Sequence, residues 1–190
     1  MSPFYIGLVH YPIYNKHMEV VTTALTNYDL HDISRSARTY DVKKYFIIHP
    51  VKRQRELAEL IMDHWKTGLG STYNPNRREA FEGTRLVPDL PSALKEIETD
   101  CGEKPIIITT DARVYPNTVS YSFMRKLISE GDRPVLILFG TGYGMTKEMM
   151  SGFDYILEPI YGAGAYNHLC VRSAAAIILD RLLGEAWWKK

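Results

Sequence analysis

The chain has 190 residues, of which 45% are hydrophobic and 24% charged, with a net charge of +1. That size suits one domain with a full core, and the composition excludes a disordered chain. A near-neutral balance gives no global basic field, so any nucleic-acid partner has to be held by local patches.

Along the chain, Phe4 to Val9 reads as a buried strand, ended by the turn-prone Tyr11-Pro12-Ile13-Tyr14-Asn15. The N-terminus lacks a basic leader and a full apolar stretch, so this strand is expected in place of a signal peptide. No apolar run approaches the roughly 20 residues of a spanning helix, and a membrane role is not expected. Asp32 to Tyr40 is helical in pattern, with Ile33, Ala37 and Tyr40 at i, i+4 and i+7. Lys44 to Ile48 follows as a strand closed by His49-Pro50, and Arg55 to Trp65 as an amphipathic helix with Leu57, Leu60, Ile61 and Trp65 on one face. The segment Gly68 to Arg78, rich in Gly and Asn, reads as an exposed loop. Helices are expected at Leu90 to Glu98, Ser120 to Ser129 and His168 to Leu183, and strands at Pro105 to Thr109, Val135 to Phe139 and Tyr155 to Leu157. Strands alternating with helices predict an α/β fold with a mainly parallel sheet covered on both faces, as a single domain over residues 1–190.

Ligands in such folds gather beyond the carboxyl ends of the strands, and two glycine-bearing loops fall there. One is Gly140-Thr141-Gly142-Tyr143-Gly144, after Pro134 to Phe139. The other, Gly162-Ala163-Gly164, leads through Tyr166-Asn167-His168 into an apolar helix. Small residues let a ligand approach the backbone, and a helix start adds free amides. GTGYG is neither a dinucleotide fingerprint nor a phosphate loop with its lysine. Taken alone, it also suits a tight turn, Asn167 suits an N-cap, and His168 suits an ordinary helical residue.

Polar residues crowd Asn27 to Arg38. Arg38 reads as part of a solvated, ion-paired face, whereas Arg35 lies among the small residues Ser34, Ser36 and Ala37, which leave room for a substrate. The two cysteines, Cys101 and Cys170, form no CxxC pattern, and Cys170, beside an apolar helix, is expected to be packed. A reducing cytoplasm suits this usage. His10, His17, His49 and His64 lack metal-ligand spacing, so no metal is expected. Basic clusters at Lys43-Lys44, Lys52-Arg53-Arg55 and Arg77-Arg78-Arg85 are either ordinary surface or, with Tyr73, a hold on a phosphate backbone.

Together these segments resemble the SPOUT superfamily of S-adenosylmethionine-dependent RNA methyltransferases, the deep trefoil-knot enzymes. Asp32 to Val42 resembles the first motif of the ribose 2′-O branch, Phe139 to Gly144 the second, and Tyr166 to Ile177 the third. More narrowly, the chain is similar to compact SPOUT proteins that occur alone or fused behind a tRNA guanine-N1 methyltransferase. The resemblance implies a C-terminal knot, a homodimer and S-adenosylmethionine as cofactor. It also implies a cofactor site from Phe139, Gly140, Gly142, Gly144, Pro159, Ile160, Gly162, Asn167, His168 and Leu169, with Arg35 as the catalytic residue near the acceptor. Where the ribose branch usually has an asparagine six residues before that arginine, this chain has Asp29, and GTGYG lacks the usual glutamate. The proton acceptor is left open among Asp29, His31, Asp32 and a substrate phosphate. The expected activity is 2′-O-methylation of a tRNA nucleotide, with base methylation (for example at guanine N1) or a non-catalytic cofactor- or RNA-binding module as alternatives. The aromatic tail Trp187-Trp188 is expected either at the dimer interface or in a small packing cluster.

Overall fold

A computed structural model describes residues 1–164 and 166–185. In chain order its elements are β1 (Phe4–Val9), β2 (Ile13–Tyr14), β3 (Val20–Val21), α1 (Asn27–Thr39), β4 (Lys44–Ile48) and α2 (Lys52–Lys66). There follow α3 (Leu69–Tyr73), α4 (Pro75–Glu82), β5 (Thr84–Val87), α5 (Leu90–Cys101), β6 (Ile106–Thr110) and β7 (Thr118–Val119). The last are α6 (Tyr121–Glu130), β8 (Val135–Gly140), α7 (Lys147–Met150), β9 (Tyr155–Leu157) and α8 (Val171–Leu183).

Seven of these strands form one sheet in the order β5-β4-β1-β8-β6-β9-β7, and its pairings are parallel. The central strands are nearly continuous apolar runs because both faces are covered: every residue of β1 is buried, as are Val135 to Phe139 of β8. Side chains alternate between the faces. Val135, Ile137 and Phe139 pack with Leu30 and Ile33 of α1, Met62 of α2, Phe81 of α4, Met124 of α6 and Leu179 of α8. Leu136 and Leu138 instead meet Ala93 and Ile97 of α5 and Met150 of α7. The carboxyl ends of β1, β4, β6 and β8 therefore open at one edge of the sheet. The fold class is the one expected from the strand–helix alternation.

Four local expectations need correction. Helix α1 starts five residues earlier than its apolar pattern, because the Thr26 hydroxyl accepts from the Asp29 amide at 3.1 Å and Asp29 favours the positive helix start. In α2, Leu57 and Leu60 are 54% and 69% exposed, whereas Ala58 and Met62 are buried. Ile61 and Trp65 of the expected stripe do pack, partly buried, against the core, so the buried face is rotated away from Leu57 and Leu60 only. Gly68 to Arg78 is not a plain loop, since it carries α3 and the first half of α4. Asn74 caps α4 through its side chain, accepting from the Arg77 amide at 3.1 Å, with Pro75 in the first turn, so the residues that read as breakers are start signals. Finally, α8 begins at Val171 and not at His168, with Cys170 exposed at its N-cap instead of packed.

The short strand β5 had no periodic signal, because only four residues pair and Arg85 interrupts them. It is tied to α1 by a buried contact. The Ser34 hydroxyl donates to the Leu30 carbonyl at 2.6 Å, so the Thr84 hydroxyl, 2.8 Å away, donates to Ser34. Trp187 and Trp188 lie outside the described residues. Among those described, no helix is long and apolar enough to cross a membrane, and no group of His, Cys, Asp or Glu is arranged to hold a metal ion.

Replacing Ser34 by Ala strands the buried Thr84 donor and is expected to cost about 1–3 kcal/mol in denaturant unfolding. Adding Thr84→Val removes the stranded donor, so the double variant is expected to recover part of that loss.

Candidate active site

A cavity of about 950 Å³ opens at the carboxyl edge of the sheet, within the roughly 300–1,000 Å³ usual for ligand sites. Its floor is the loop that leaves β8. Gly142 and Gly144 have φ of +55° and +97°, which L side chains rarely adopt. The loop is fastened to β2: the Tyr143 amide donates to the Tyr14 carbonyl at 3.0 Å, and the Tyr14 amide donates to the Gly144 carbonyl at 2.9 Å. A Cβ on Gly142 would lie 3.0 Å from Ile13 Cγ2 and 3.1 Å from the Tyr14 carbonyl oxygen, so any larger residue pushes this floor apart.

Beneath the loop runs a directed chain of hydrogen bonds. Thr141 Oγ1 donates to the Val9 carbonyl at 3.0 Å, so Thr23 Oγ1, 2.6 Å away, donates to Thr141. His10 Nδ1 then donates to Thr23 Oγ1 at 3.1 Å, which leaves His10 Nε2 as a bare acceptor, buried without a partner. His49 stacks on His10 at 4.9 Å; its Nδ1 accepts from the Val51 amide, so its Nε2 donates to the Thr23 carbonyl at 3.0 Å. Burial, and then the neighbouring His49, lower the His10 pKa to about 3, with Thr23 opposing. Burial likewise lowers that of His49.

One wall comes from the segment after β6. Arg113 grips Asp111 in a bidentate pair at 2.9 Å for both contacts, and the Asp111 side chain is only 6% exposed. Hydrogen bonding to Asp111 raises the Arg113 pKa further above its ordinary value. The opposite wall is the segment before α8, where Asn167 Nδ2 donates to the Ala112 carbonyl at 3.3 Å. The rim belongs to α1 and α8: Arg172 meets Asp29 and Asp32, each at 3.3 Å, with Asp29 lining the cavity.

Phe139, Gly140, Gly142, Gly144, Pro159, Ile160, Asn167, His168 and Leu169 all line this cavity. Gly162 does not; it is exposed, and a Cβ there would meet nothing within 4 Å. Asn167 bridges two walls and is not an N-cap. Arg35 is exposed on α1 and is not part of the cavity lining. Thr23, Asp111, Arg113 and Arg172 were not singled out by the sequence. Thr23, Asp111 and Arg113 share only a place after strand ends, and Arg172 lies in the first turn of α8, within the Tyr166 to Ile177 stretch. As chemistry, the cavity offers apolar surfaces from Phe139, Ile160 and Leu169 for a flat ring, open backbone at the glycines, and the Asp29 carboxylate for a cation.

A family model for SAM-dependent RNA methyltransferases matches residues 3–184. The chain belongs to that family. It is similar to an uncharacterized protein of Aquifex aeolicus, 47% identical over 95% of this chain and 88% of that one. It is also 42% identical to a tRNA (guanine-N(1)-)-methyltransferase of Nitratidesulfovibrio vulgaris, over 96% of this chain but only 42% of that longer one. Among solved structures, the fold is similar to the SpoU methyltransferase AviRb of Streptomyces viridochromogenes in complex with AdoMet, with a TM-score of 0.57 at 15% identity over 96% of this chain and 59% of that one. It is similar as well to the A. aeolicus TrmH/SpoU tRNA modifying enzyme, with a TM-score of 0.55 at 15% identity over all of this chain and 78% of that one. The chain is thus a SAM-dependent RNA methyltransferase of SPOUT fold, with S-adenosylmethionine as the methyl donor, and the cavity's apolar, glycine-lined walls fit such a ligand.

The histidine pair generates a pH prediction. His10 stays neutral in the folded protein down to about pH 3, whereas the unfolded chain takes up that proton near pH 6.5. The unfolded state therefore binds more protons below 6.5, and stability falls as pH drops through this window. His10→Asn is expected to flatten the decline between about pH 6.5 and 4.5 in unfolding titrations; an unchanged slope would reject the assignment.

Proposed function

We propose that the protein methylates the ribose 2′-oxygen of a tRNA nucleotide, as a cytoplasmic homodimer built from one domain per chain, with the knotted C-terminal threading of its superfamily. The observation that carries this reading is the convergence of the β8 glycine loop and the 159–169 segment on one cavity beside α1. Phe139, Ile160 and Leu169 form the apolar faces for the adenine, and Gly140, Gly142, Gly144 and Pro159 present backbone to the donor. Asn167 and His168 close the site, while Gly162 shapes the loop without touching the ligand.

S-adenosylmethionine supplies an already activated methyl group, so the protein's task is to align acceptor and donor and to manage one proton. Arg35 serves the acceptor. A guanidinium stays protonated at neutral pH, so it holds a phosphate or stabilises the developing alkoxide instead of acting as a base. Because Arg35 stands outside the cavity of its own chain, we place it in the cavity of the partner protomer, each chain completing the other's site. Of the candidate proton acceptors, only Asp29 lines the cavity. Arg172 holds Asp29 and Asp32 alike, but Asp32 is exposed outside the cavity lining, and His31 is half-buried with its pKa lowered first by burial and then by Arg77.

A second reading, methylation at guanine N1, is favoured by the name of the Nitratidesulfovibrio relative, of which this chain spans 42%. Asp29, standing where the ribose branch carries an amide, suits removal of the N1 proton.

Methyl transfer to unmodified tRNA followed by nucleoside mass analysis separates these readings. Ribose-methylated nucleosides are expected, 1-methylguanosine would move the assignment to the base, and no transfer despite donor binding would reject both. In the same assay Arg35→Ala is expected to lower transfer by about 100-fold or more with donor affinity unchanged. Gly142→Val is expected to weaken donor binding first, measurable by calorimetry.

A further inference from the structure

Away from the donor cavity, α1, α2 and α4 enclose a half-buried cluster of Trp65, Phe81, His31 and Arg77, to which the methyl-transfer chemistry above gives no role. At its centre the Trp65 indole carries the Arg77 guanidinium on its face, 4.4 Å from the ring centroid. His31 stands edge-on to the same indole at 5.8 Å and lies 5.0 Å from Phe81. Gly70 lets α3 close against Trp65, since a Cβ there would come within 2.7 Å of the ring.

The Arg77 side chain makes no hydrogen bond or ion pair in the described structure, and its Nε is buried without a partner. The indole face holds the guanidinium in place while its donors find no protein acceptor, and a guanidinium so held can take an oxyanion in a fork. The carboxylates on the two flanking helices do not compensate it. Arg172 holds Asp29 and Asp32, Arg38 holds Glu79 at 2.6 Å, and Arg78 faces Glu82 at 4.0 Å. On α2, Glu59 and Asp63 are exposed, and neither pairs with Arg77. Arg35 adds a second cation with no ion pair among the described residues; at His31, burial and then Arg77 lower the pKa, Asp32 opposes them, and Arg35 adds a smaller lowering. A half-buried guanidinium held over an indole, with no ion pair among the described residues, is stabilised by an anion from outside.

We infer that Arg77, stacked on Trp65 and flanked by Arg35, is a binding site for a backbone phosphate of the RNA substrate, next to the phosphate or sugar that Arg35 addresses. This rests on the RNA methyltransferase reading and extends it to α4, an element that carries none of the resemblance motifs. Helix α4 packs against α1, with the exposed Arg38–Glu79 pair across their surface, so a phosphate seated on Arg77 is registered against Arg35 through two packed helices. The contact is to backbone and carries no base preference of its own.

The test is binding of unmodified tRNA to full-length Arg77→Glu, read by fluorescence anisotropy across a salt series, with S-adenosylmethionine affinity measured in parallel. A loss of roughly tenfold or more and a shallower salt dependence, by about one unit of log–log slope, are expected, with donor affinity unchanged. Arg78→Glu on the same helix is the control for diffuse charge, and a matching loss there would overturn the site. Arg77→Lys keeps the charge and removes the fork, so an intermediate affinity is expected and guards against a folding defect in the charge reversal. Wild-type affinity in Arg77→Glu would overturn the site while leaving the methyltransferase reading intact. Wild-type protein that binds donor but no RNA would overturn both.

Discussion

Everything at the donor cavity depends on where β8 stops. This strand lies between β1 and β6, is paired on both sides, and has no freedom to slide, because a one-residue slip would swap Leu136 and Leu138 with Ile137 and Phe139 across the sheet. Its end is then pinned. Val9 and Gly140 are register partners, and Thr141 turns back to donate to the Val9 carbonyl. Through Thr23, the same chain of hydrogen bonds reaches His10 and His49, which cap the ends of β1 and β4. One polar thread therefore ties three strand ends to Thr23 and Thr141, which line the cavity. A burial that would ordinarily be costly for two histidines is sustained because both remain neutral and nearly all their polar atoms are used.

The second constraint is ionic. Arg172, at the start of α8, reaches two carboxylates on α1. A cation in a helix's first turn is unfavourable against the positive helix end, so its placement is offset by Asp29 and Asp32. The result couples the helix that follows the cavity wall to the helix that carries Arg35. The cavity and α1 are thereby fixed in one frame, although Arg35 itself stands outside the cavity of its own chain. Arg77, held over the Trp65 indole, extends the same frame to α4, where the inferred phosphate contact would lie.

Much of this was legible in the residues. The apolar runs of β1, β4, β6 and β8 gave the parallel sheet, and the loop after Phe139 was placed at a strand end by hydropathy alone. Asn167 and His168 came from the motif resemblance, and both lie on the cavity. What stayed hidden has physical causes. Leu57 and Leu60 outrank Ala58 and Met62 in hydrophobicity, but the close approach of α2 to the sheet admits the small alanine and leaves the leucines outside. Asn74 and Pro75 punctuate chains in both loops and helix starts, and only the tertiary contact of Phe81 decides between them. Thr23 and the Asp111–Arg113 pair come from segments far apart in sequence, so no spacing brings them together.

The placement of the donor between the β8 loop and the 159–169 segment is tested most directly by hydrogen exchange with and without S-adenosylmethionine. Slowed exchange is expected over residues 139–144 and in the segment leading into α8, with α2 and α4 unchanged. Donor binding that protects some other part of the sheet edge, and leaves Gly140 to Gly144 as they were, would contradict it.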